Sequence, residues 1–126
     1  MEIIASHEAP AAIGPYSQAV RVGDFVFCSG QIGIDPVTKG LAGEDVTTQC
    51  QQVFENIKAV LKASGLELKD IVKTTVFLSN MEDFPVVNDI YGLEFENHKP
   101  ARSTVQVARL PMDALIEIEC IAVLKR

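Results

Sequence analysis

The sequence predicts an α+β fold in which a single mixed β-sheet carries two helices on one face. Segments rich in β-branched and aromatic residues alternate with two segments of helical periodicity, and the elements follow in the order β-β-α-β-α-β-β. No linker, repeat or low-complexity segment interrupts residues 1–126, which we expect to form one domain. Because two helices cannot cover both faces of such a sheet, we expect a layered fold with both helices together.

The first part of the chain predicts a β-hairpin followed by a long helix. Residues 25–34, FVFCSGQIGI, follow the turn signal VGD and have strand composition, and the preceding QAVRV is the expected hairpin partner. After a DPVTKG loop, residues 44–65 predict a helix that begins near a capping Asp45 or Thr47 and ends at Gly65. The apolar stripe of this helix consists of Val46, Cys50, Val53, Ile57, Val60 and Leu61.

The second part predicts a strand, a helix and two final strands. DIVKTTVFLS reads as a strand, and residues 81–95 as a helix whose N-terminus suits Glu82 and Asp83, with Pro85 tolerated in the first turn. One face of this helix is expected to contain Phe84, Val87, Tyr91 and Phe95. The strands ARSTVQVAR and LIEIECIAVL follow, joined by the turn LPMDA.

The last strand predicts an apolar sheet face that needs a cover. Its even positions are apolar throughout, whereas its odd positions begin with Leu115, Glu117 and Glu119 and continue with Ile121 and Val123. A strand that is apolar on both faces must be covered on both, and the sequence offers no third layer. We therefore expect a homo-oligomer; a loop or terminus folded over this face is the alternative.

Composition limits the classes of partner. A net charge of −6 and a pI near 4.8 disfavour nucleic acid and anionic membranes, and no apolar run approaches the ~20 residues of a membrane span. Without a signal-peptide pattern, the scattered Cys28, Cys50 and Cys120 indicate reduced core thiols in a cytoplasmic protein. His7 and His98 lack partners at metal or triad spacing and are assigned to the surface, and no cofactor fingerprint is present.

Charged residues near the C-terminus are the first candidates for chemistry. Arg102 opens the strand within KPARSTVQVARLP, where its guanidinium is either a solvated edge group or a clamp with two parallel donors for a carboxylate. Glu117 and Glu119 form either a solvent face or, at a subunit contact, a site that orients or deprotonates water. If the last two strands form an antiparallel hairpin, Arg102 and the two glutamates run in opposite directions from its turn and need not touch within one subunit. An interface between subunits could bring them together.

Two residues in the first half of the chain are further candidates. Tyr16, after the Gly-Pro turn of IGPYSQAV, is either a packed aromatic or a lid over a ligand. Gly30 either suits a β-bulge or lets a backbone group approach a ligand. Ser17, Ser29 and Ser103 lack a nucleophile elbow or a neighbouring histidine, so a serine hydrolase is unsupported.

Five sequence blocks resemble the Rid family, also called the YjgF family, of enamine/imine deaminases. The blocks are IGPYSQA, CSGQIGIDPVTKG, VKTTVFLSNMEDFPVVNDIY, KPARSTVQVARLP and IEIECIA, and the resemblance runs from about Pro10 to the C-terminus. It implies a chorismate-mutase-like fold and a homotrimer with active sites in the clefts between subunits. It also implies cofactor-free hydrolysis of 2-imino acids such as 2-iminobutanoate and 2-iminopropanoate to 2-oxo acids and ammonia.

The resemblance also implies roles for particular residues. Arg102 is similar to the family's carboxylate-binding arginine, Glu117 to the residue that holds the attacking water, and Tyr16 to the tyrosine that closes over the ligand. Asn88 and the backbone at Gly30 are similar to pocket-lining contacts.

The sequence departs from the family at Thr104, where many members have cysteine. The change removes a thiol, keeps a small polar side chain, and puts in doubt only a role for a thiol there. Three other functions compete with the deaminase: a non-catalytic trimeric ligand- or protein-binding regulator, a ribonuclease or translation inhibitor, and a chorismate mutase. The net negative charge of the chain disfavours an RNA substrate. The ligand of a chorismate mutase carries two carboxylates, which would require more cationic side chains than the one obvious arginine.

Overall fold

The computed structural model describes residues 1–125 and confirms the α+β fold, with a six-stranded sheet and two long helices. The strands are β1 (Glu2–Ile4), β2 (Ala19–Val22), β3 (Phe25–Ile32), β4 (Ile71–Leu78), β5 (Ala101–Gln106) and β6 (Ile116–Val123). The helices are α1 (Val46–Ala63) and α2 (Phe84–Phe95), and short 3-10 turns occur at Leu68–Asp70, Met81–Asp83 and Pro111–Asp113.

The element order contains one strand that the sequence did not predict. β1 is only three residues long, too short for an alternating pattern to be recognised. It exists because Ile3 pairs with Val20 along the otherwise open edge of β2, and Ile4 enters the core.

The strand order β1-β2-β3-β6-β4-β5 rules out a hairpin between the last two strands. All neighbours are antiparallel except β4 and β5, which are parallel because the chain crosses over through α2 between them. β6 then returns to the gap between β3 and β4, so β4 separates β5 from β6.

Helix α1 begins and ends close to the expected positions. The cap is Asp45 rather than Thr47: its carboxylate accepts a hydrogen bond from the Thr48 amide at 2.7 Å. Ser64 closes the helix, and Gly65 follows with a φ of +76°, a left-handed conformation that glycine adopts without strain.

Helix α2 is preceded by a short turn, which the Asn80 side chain caps, and carries Pro85 in its first turn. It packs beside α1 on the same face of the sheet. The Phe54 ring of α1 meets the rings of Tyr91 and Phe95 edge-on, with centroid distances of 5.9 and 5.8 Å. This aromatic cluster fixes α2 over β4 and β5.

The opposite face of the sheet has no helix, and it is apolar along β1–β3 and the second half of β6. The prediction for β6 is confirmed here, because Ile121 and Val123 pair with Phe27 and Phe25 on this uncovered face. Exposed fractions are 65% for Ile3, 51% for Val22, 47% for Phe25 and 43% for Phe27. No loop or terminus within residues 1–125 shields these side chains.

Two further findings concern groups named from the sequence. All three cysteines are free thiols, and burial raises the pKa of Cys50 to about 12. The surface assignment of His98 was wrong: the ring is half-buried, and its Nε2 lies 2.6 Å from the Ile71 carbonyl oxygen, where it holds the turn after α2 against β4. No helix within residues 1–125 is long and apolar enough to span a membrane.

Candidate active site

Arg102 lies on the edge strand β5 and faces helix α2. Its Nη1 donates a hydrogen bond of 2.9 Å to Asn88 Oδ1. Its guanidinium carbon lies 4.7 Å from the centre of the Tyr91 ring and 5.3 Å from that of Phe84. Asn88, Tyr91, Arg102 and parts of the 95–100 segment line a cavity of about 370 Å³, which we call the arginine cleft.

Arg102 forms no ion pair with another residue of the described chain, although Glu96 also lines the arginine cleft. Within residues 1–125, no carboxylate lies within 4 Å of its guanidinium, although five ion pairs form elsewhere. Its hydrogen-bond partner Asn88 is a neutral amide. The arginine cleft therefore offers an uncompensated cation to an anionic ligand.

Thr104 follows two residues later on β5, opposite Val76. Its Oγ1 is buried and has no hydrogen-bond partner among residues 1–125. The side chain lines neither the arginine cleft nor the second cleft described below.

Glu117 lies near the start of β6 on the face away from the helices, between Ile32 of β3 and Phe77 of β4. Gln49 of α1 fixes this end of the strand, because its Oε1 accepts a 2.8 Å hydrogen bond from the Leu115 amide. The cavity beside Glu117 has a volume of about 600 Å³, and we call it the glutamate cleft. Its polar lining includes Tyr16, Gly30, Glu117 and Glu119, and its apolar lining includes Ile13, Ile34 and Met112.

Burial raises the pKa of the Glu117 carboxyl above its ordinary value, and the negative charge of Glu119 raises it further. Both causes disfavour the ionised form. A carboxylate with a raised pKa is a stronger proton acceptor than an ordinary glutamate, which suits it to take a proton from water.

Gly30 leaves the space that the Glu117 side chain occupies. It sits in an irregularity of the β3–β6 pairing between Cys28 and Gln31, which agrees with the first of its two readings, a β-bulge. A Cβ atom at position 30 would lie 2.7 Å from Cδ and 3.0 Å from Cγ of Glu117. The group that closely approaches Gly30 is therefore the side chain of Glu117 in the same chain. Any residue larger than glycine at position 30 would force this side chain to move.

Tyr16 stands on an exposed loop that is anchored at its base. Its amide donates to the Gly14 carbonyl at 2.9 Å, and 54% of the residue is exposed, so it is not a core aromatic. Buried Gln18 holds the preceding segment: Nε2 donates to the Pro10 carbonyl at 2.7 Å, and Oε1 accepts from the Ser6 amide at 2.6 Å. The exposed ring is thus placed over the glutamate cleft by a fixed support.

The two clefts lie on opposite faces of the sheet. Arg102 pairs with Thr74 of β4, whose side chain points towards α2, whereas Glu117 pairs with Phe77, three residues later on the other face. The clefts share no lining residue. Within one chain, the structure brings Arg102 to Asn88 and Tyr16 to Gly30 and Glu117, but it does not bring the two groups together.

Sequence reasoning missed the aromatic support under Arg102. It assigned Phe84 and Tyr91 only to the core face of α2, yet both rings also contact the guanidinium. The signal was present, since Phe84, Asn88 and Tyr91 fall at positions i, i+4 and i+7 of one helical stripe. By contrast, no sequence pattern pointed to Ile13 and Met112 in the glutamate cleft. Among residues 1–125, no group of three or more His, Cys, Asp or Glu side chains could hold a metal ion.

Comparisons with known proteins agree with this fold. The family model described as Endoribonuclease L-PSP matches residues 6–124. The 2-iminobutanoate/2-iminopropanoate deaminase of Salmonella typhimurium is 54% identical over 123 residues, covering 95% of each chain. A solved protein of Thermotoga maritima is 49% identical, with a TM-score of 0.97 over 100% of this chain and 99% of that one. Escherichia coli TdcF, solved with bound serine, is 46% identical, with a TM-score of 0.95 over 99% of this chain and 100% of that one.

The match spans nearly the whole chain at about half identity, with the same fold. The protein therefore belongs to the Endoribonuclease L-PSP family, which is the YjgF or Rid family that its sequence blocks resemble.

Proposed function

We propose that the protein is an enamine/imine deaminase that hydrolyses reactive 2-imino acids, such as 2-iminobutanoate and 2-iminopropanoate, to 2-oxo acids and ammonia. The observation that carries the proposal is the uncompensated guanidinium of Arg102, held by a neutral amide at the mouth of a cleft. The name of the Salmonella relative and the serine bound to TdcF support a small ligand with a carboxylate.

In this reaction, Arg102 binds the substrate carboxylate and Glu117 aims a water molecule at the imine carbon. Protonation of the imine nitrogen makes that carbon more electrophilic. The water oxygen bonds to carbon as Glu117 accepts a proton, which gives a carbinolamine. Glu117 then returns its proton to the nitrogen, the carbon–nitrogen bond breaks, and ammonia leaves. As it leaves, the hydroxyl group of the carbinolamine gives its proton to the Glu117 carboxylate and becomes the carbonyl of the 2-oxo acid. Positioning supplies most of the acceleration, because the uncatalysed hydrolysis of an imine is already fast.

The remaining site residues assist these two. Asn88 holds the Arg102 guanidinium, Gly30 gives room to Glu117, and Tyr16 closes over the bound ligand. Thr104, two residues after Arg102 on β5, lines neither cleft in the single chain, and its role is to add to the substrate-binding wall when a second subunit completes the site. The chemistry requires no cofactor and no metal.

We further propose a homotrimer in which each active site combines the arginine cleft of one subunit with the glutamate cleft of its neighbour. The separation of these clefts on opposite sheet faces supports this arrangement. So do the exposed apolar face around Phe25 and Phe27 and the exposed edge strand β5. Burying such a face against a second copy removes apolar surface from water at about 25 cal/mol per Å².

The principal alternative is a non-catalytic binding module that uses the same cleft, which the carboxylate clamp alone would also suit. An RNA substrate is disfavoured by the net charge of −6, despite the name of the family model. We expect the protein to act in the cytoplasm, where 2-imino acids are released by amino-acid-metabolising enzymes.

The test is the release of 2-oxobutanoate from 2-iminobutanoate generated in situ by an amino-acid oxidase, with an imine trap reporting the lifetime of the imine. Wild type should accelerate release, and Arg102→Ala should abolish the acceleration with the oligomer intact. Lys69→Ala removes the same charge from an exposed ion pair with Glu67 and should behave as wild type. No acceleration by wild type would leave the binding module as the better account.

A further inference from the structure

The guanidinium of Arg102 lies over two aromatic rings, those of Tyr91 and Phe84, which are not among the residues that bind the ligand directly. Tyr91 lies 4.7 Å and Phe84 5.3 Å from the guanidinium carbon, both within the range of cation–π attraction. Arg102 itself is an exposed side chain on an edge strand, a setting in which a long arginine would ordinarily sample many rotamers.

Tyr91 is fixed more firmly than the arginine that it supports. Its hydroxyl shares a buried 2.7 Å hydrogen bond with Thr74 Oγ1, on the strand that pairs with β5. Its ring packs against Phe95 with centroids 4.6 Å apart and meets Phe54 edge-on. Burial raises the pKa of the Tyr91 hydroxyl, so the group stays neutral beside the guanidinium at physiological pH. The ring is therefore a rigid platform rather than a mobile side chain.

The platform constrains the direction in which Arg102 presents its donors. Both rings lie under the guanidinium, while Asn88 accepts from Nη1 at its edge. Contact with both rings and with Asn88 restricts the rotamers of Arg102, so its remaining N–H groups keep one direction in the cleft. Two parallel N–H groups in one plane are what a carboxylate needs for bidentate binding.

We infer that Tyr91 and Phe84 are positioning residues for carboxylate recognition, acting through Arg102 to present its donors to the ligand before it arrives. This inference rests on the proposed role of Arg102 as the carboxylate anchor. The two rings therefore set the preference for ligands that carry a carboxylate over ligands that lack one.

The experiment measures the binding of 2-oxobutanoate by titration calorimetry, together with KM and kcat for 2-iminobutanoate. Tyr91→Leu should raise Kd and KM by about 3- to 30-fold, the range of an aromatic–cation contact, with a smaller change in kcat. Tyr91→Phe keeps the ring, loses only the hydroxyl, and should recover most of the affinity. Phe84→Leu, a change at a less buried position, should weaken binding in the same direction and serves where Tyr91→Leu fails to fold.

A double-mutant cycle separates positioning from a general effect on the fold. In an Arg102→Ala background, Tyr91→Leu should cause no further loss, since the residue acts through the missing guanidinium. Binding of 2-oxobutanamide, which lacks the carboxylate, should respond to neither change.

Each outcome decides one of the two claims. An unchanged Kd in both Tyr91→Leu and Phe84→Leu, or an equal loss with and without Arg102, would overturn the inference. If wild type hydrolyses no imine, but the two variants bind 2-oxobutanoate more weakly than wild type does, the deaminase is refuted and the positioning role is kept. A wild type that hydrolyses 2-iminobutanoate but does not bind 2-oxobutanoate would refute the positioning role and keep the deaminase.

Discussion

Gly30→Ala tests whether the position of the Glu117 carboxyl controls activity. The added Cβ would clash first with Glu117 Oε2 and would lie 2.7 Å from Cδ, so the carboxyl must retreat by about 1 Å before both atoms reach an ordinary contact of 3.4 Å. A misplacement near 1 Å costs on the order of 10²-fold in rate, so we expect kcat/KM to fall by roughly 30- to 100-fold. The φ angle of Gly30 is not left-handed, so the backbone at position 30 can accept alanine. The main obstacle to the substitution is therefore the contact with the Glu117 side chain.

The assay combines imine hydrolysis with urea unfolding. The free energy of unfolding should change by less than about 1 kcal/mol, since position 30 is exposed and its backbone accepts alanine. Gly40→Ala is the matched control: no atom lies within 4 Å of its added Cβ, and activity should be unchanged.

A second comparison identifies the cause of the loss. In a Glu117→Gln background, Gly30→Ala should reduce activity little further, because the group it displaces has already lost its function. Activity of Gly30→Ala within twofold of wild type would refute the reasoning. So would a loss that merely follows unfolding of the variant.

Three further changes have outcomes that follow from the structure. Burial raises the pKa of Glu117 above its ordinary 4.5, so wild type loses stability as pH rises from 4.5 through the raised value. Thermal melts should therefore show that Glu117→Gln gains stability relative to wild type between pH 4 and pH 7. A stability difference that stays constant over this pH range would contradict the prediction. Phe27→Asp, on the uncovered face, should leave a folded chain that sediments as a monomer and lacks activity; an intact oligomer would exclude this face as the interface. Asn56→Ala should cost about 2–4 kcal/mol in urea unfolding, because its amide donates to two strand-end carbonyls at 3.2 and 2.9 Å, whereas exposed Gln51→Ala should change stability by less than about 0.5 kcal/mol.

The helices and longer strands were predictable because their local signals agree with the tertiary fold. The apolar stripe of α1, its Asp45 cap and the glycine after it all specify the same boundaries. The alternation in β6 likewise predicted one face against the helices and another that is polar at its start and apolar at its end. These patterns are local, so one sequence is enough to read them.

The remaining features depend on pairing between distant segments. β1 has only three residues, and its existence is decided by the open edge of β2. The insertion of β6 between β3 and β4 pairs segments that are distant in the sequence, and no turn motif encodes it. The same topology puts Arg102 and Glu117 on opposite faces. The sequence identified both residues as candidates, but the faces they occupy became visible only with the strand order.

The most direct test of a site shared between subunits mixes two inactive chains. Arg102→Ala and Glu117→Gln should each retain little activity alone, and mixed oligomers formed by refolding them together should regain activity. In a random equal mixture, roughly one quarter of the intersubunit sites combine an intact arginine cleft with an intact glutamate cleft, so we predict about a quarter of wild-type activity. A mixture that forms mixed oligomers yet remains as inactive as its components would contradict the shared site.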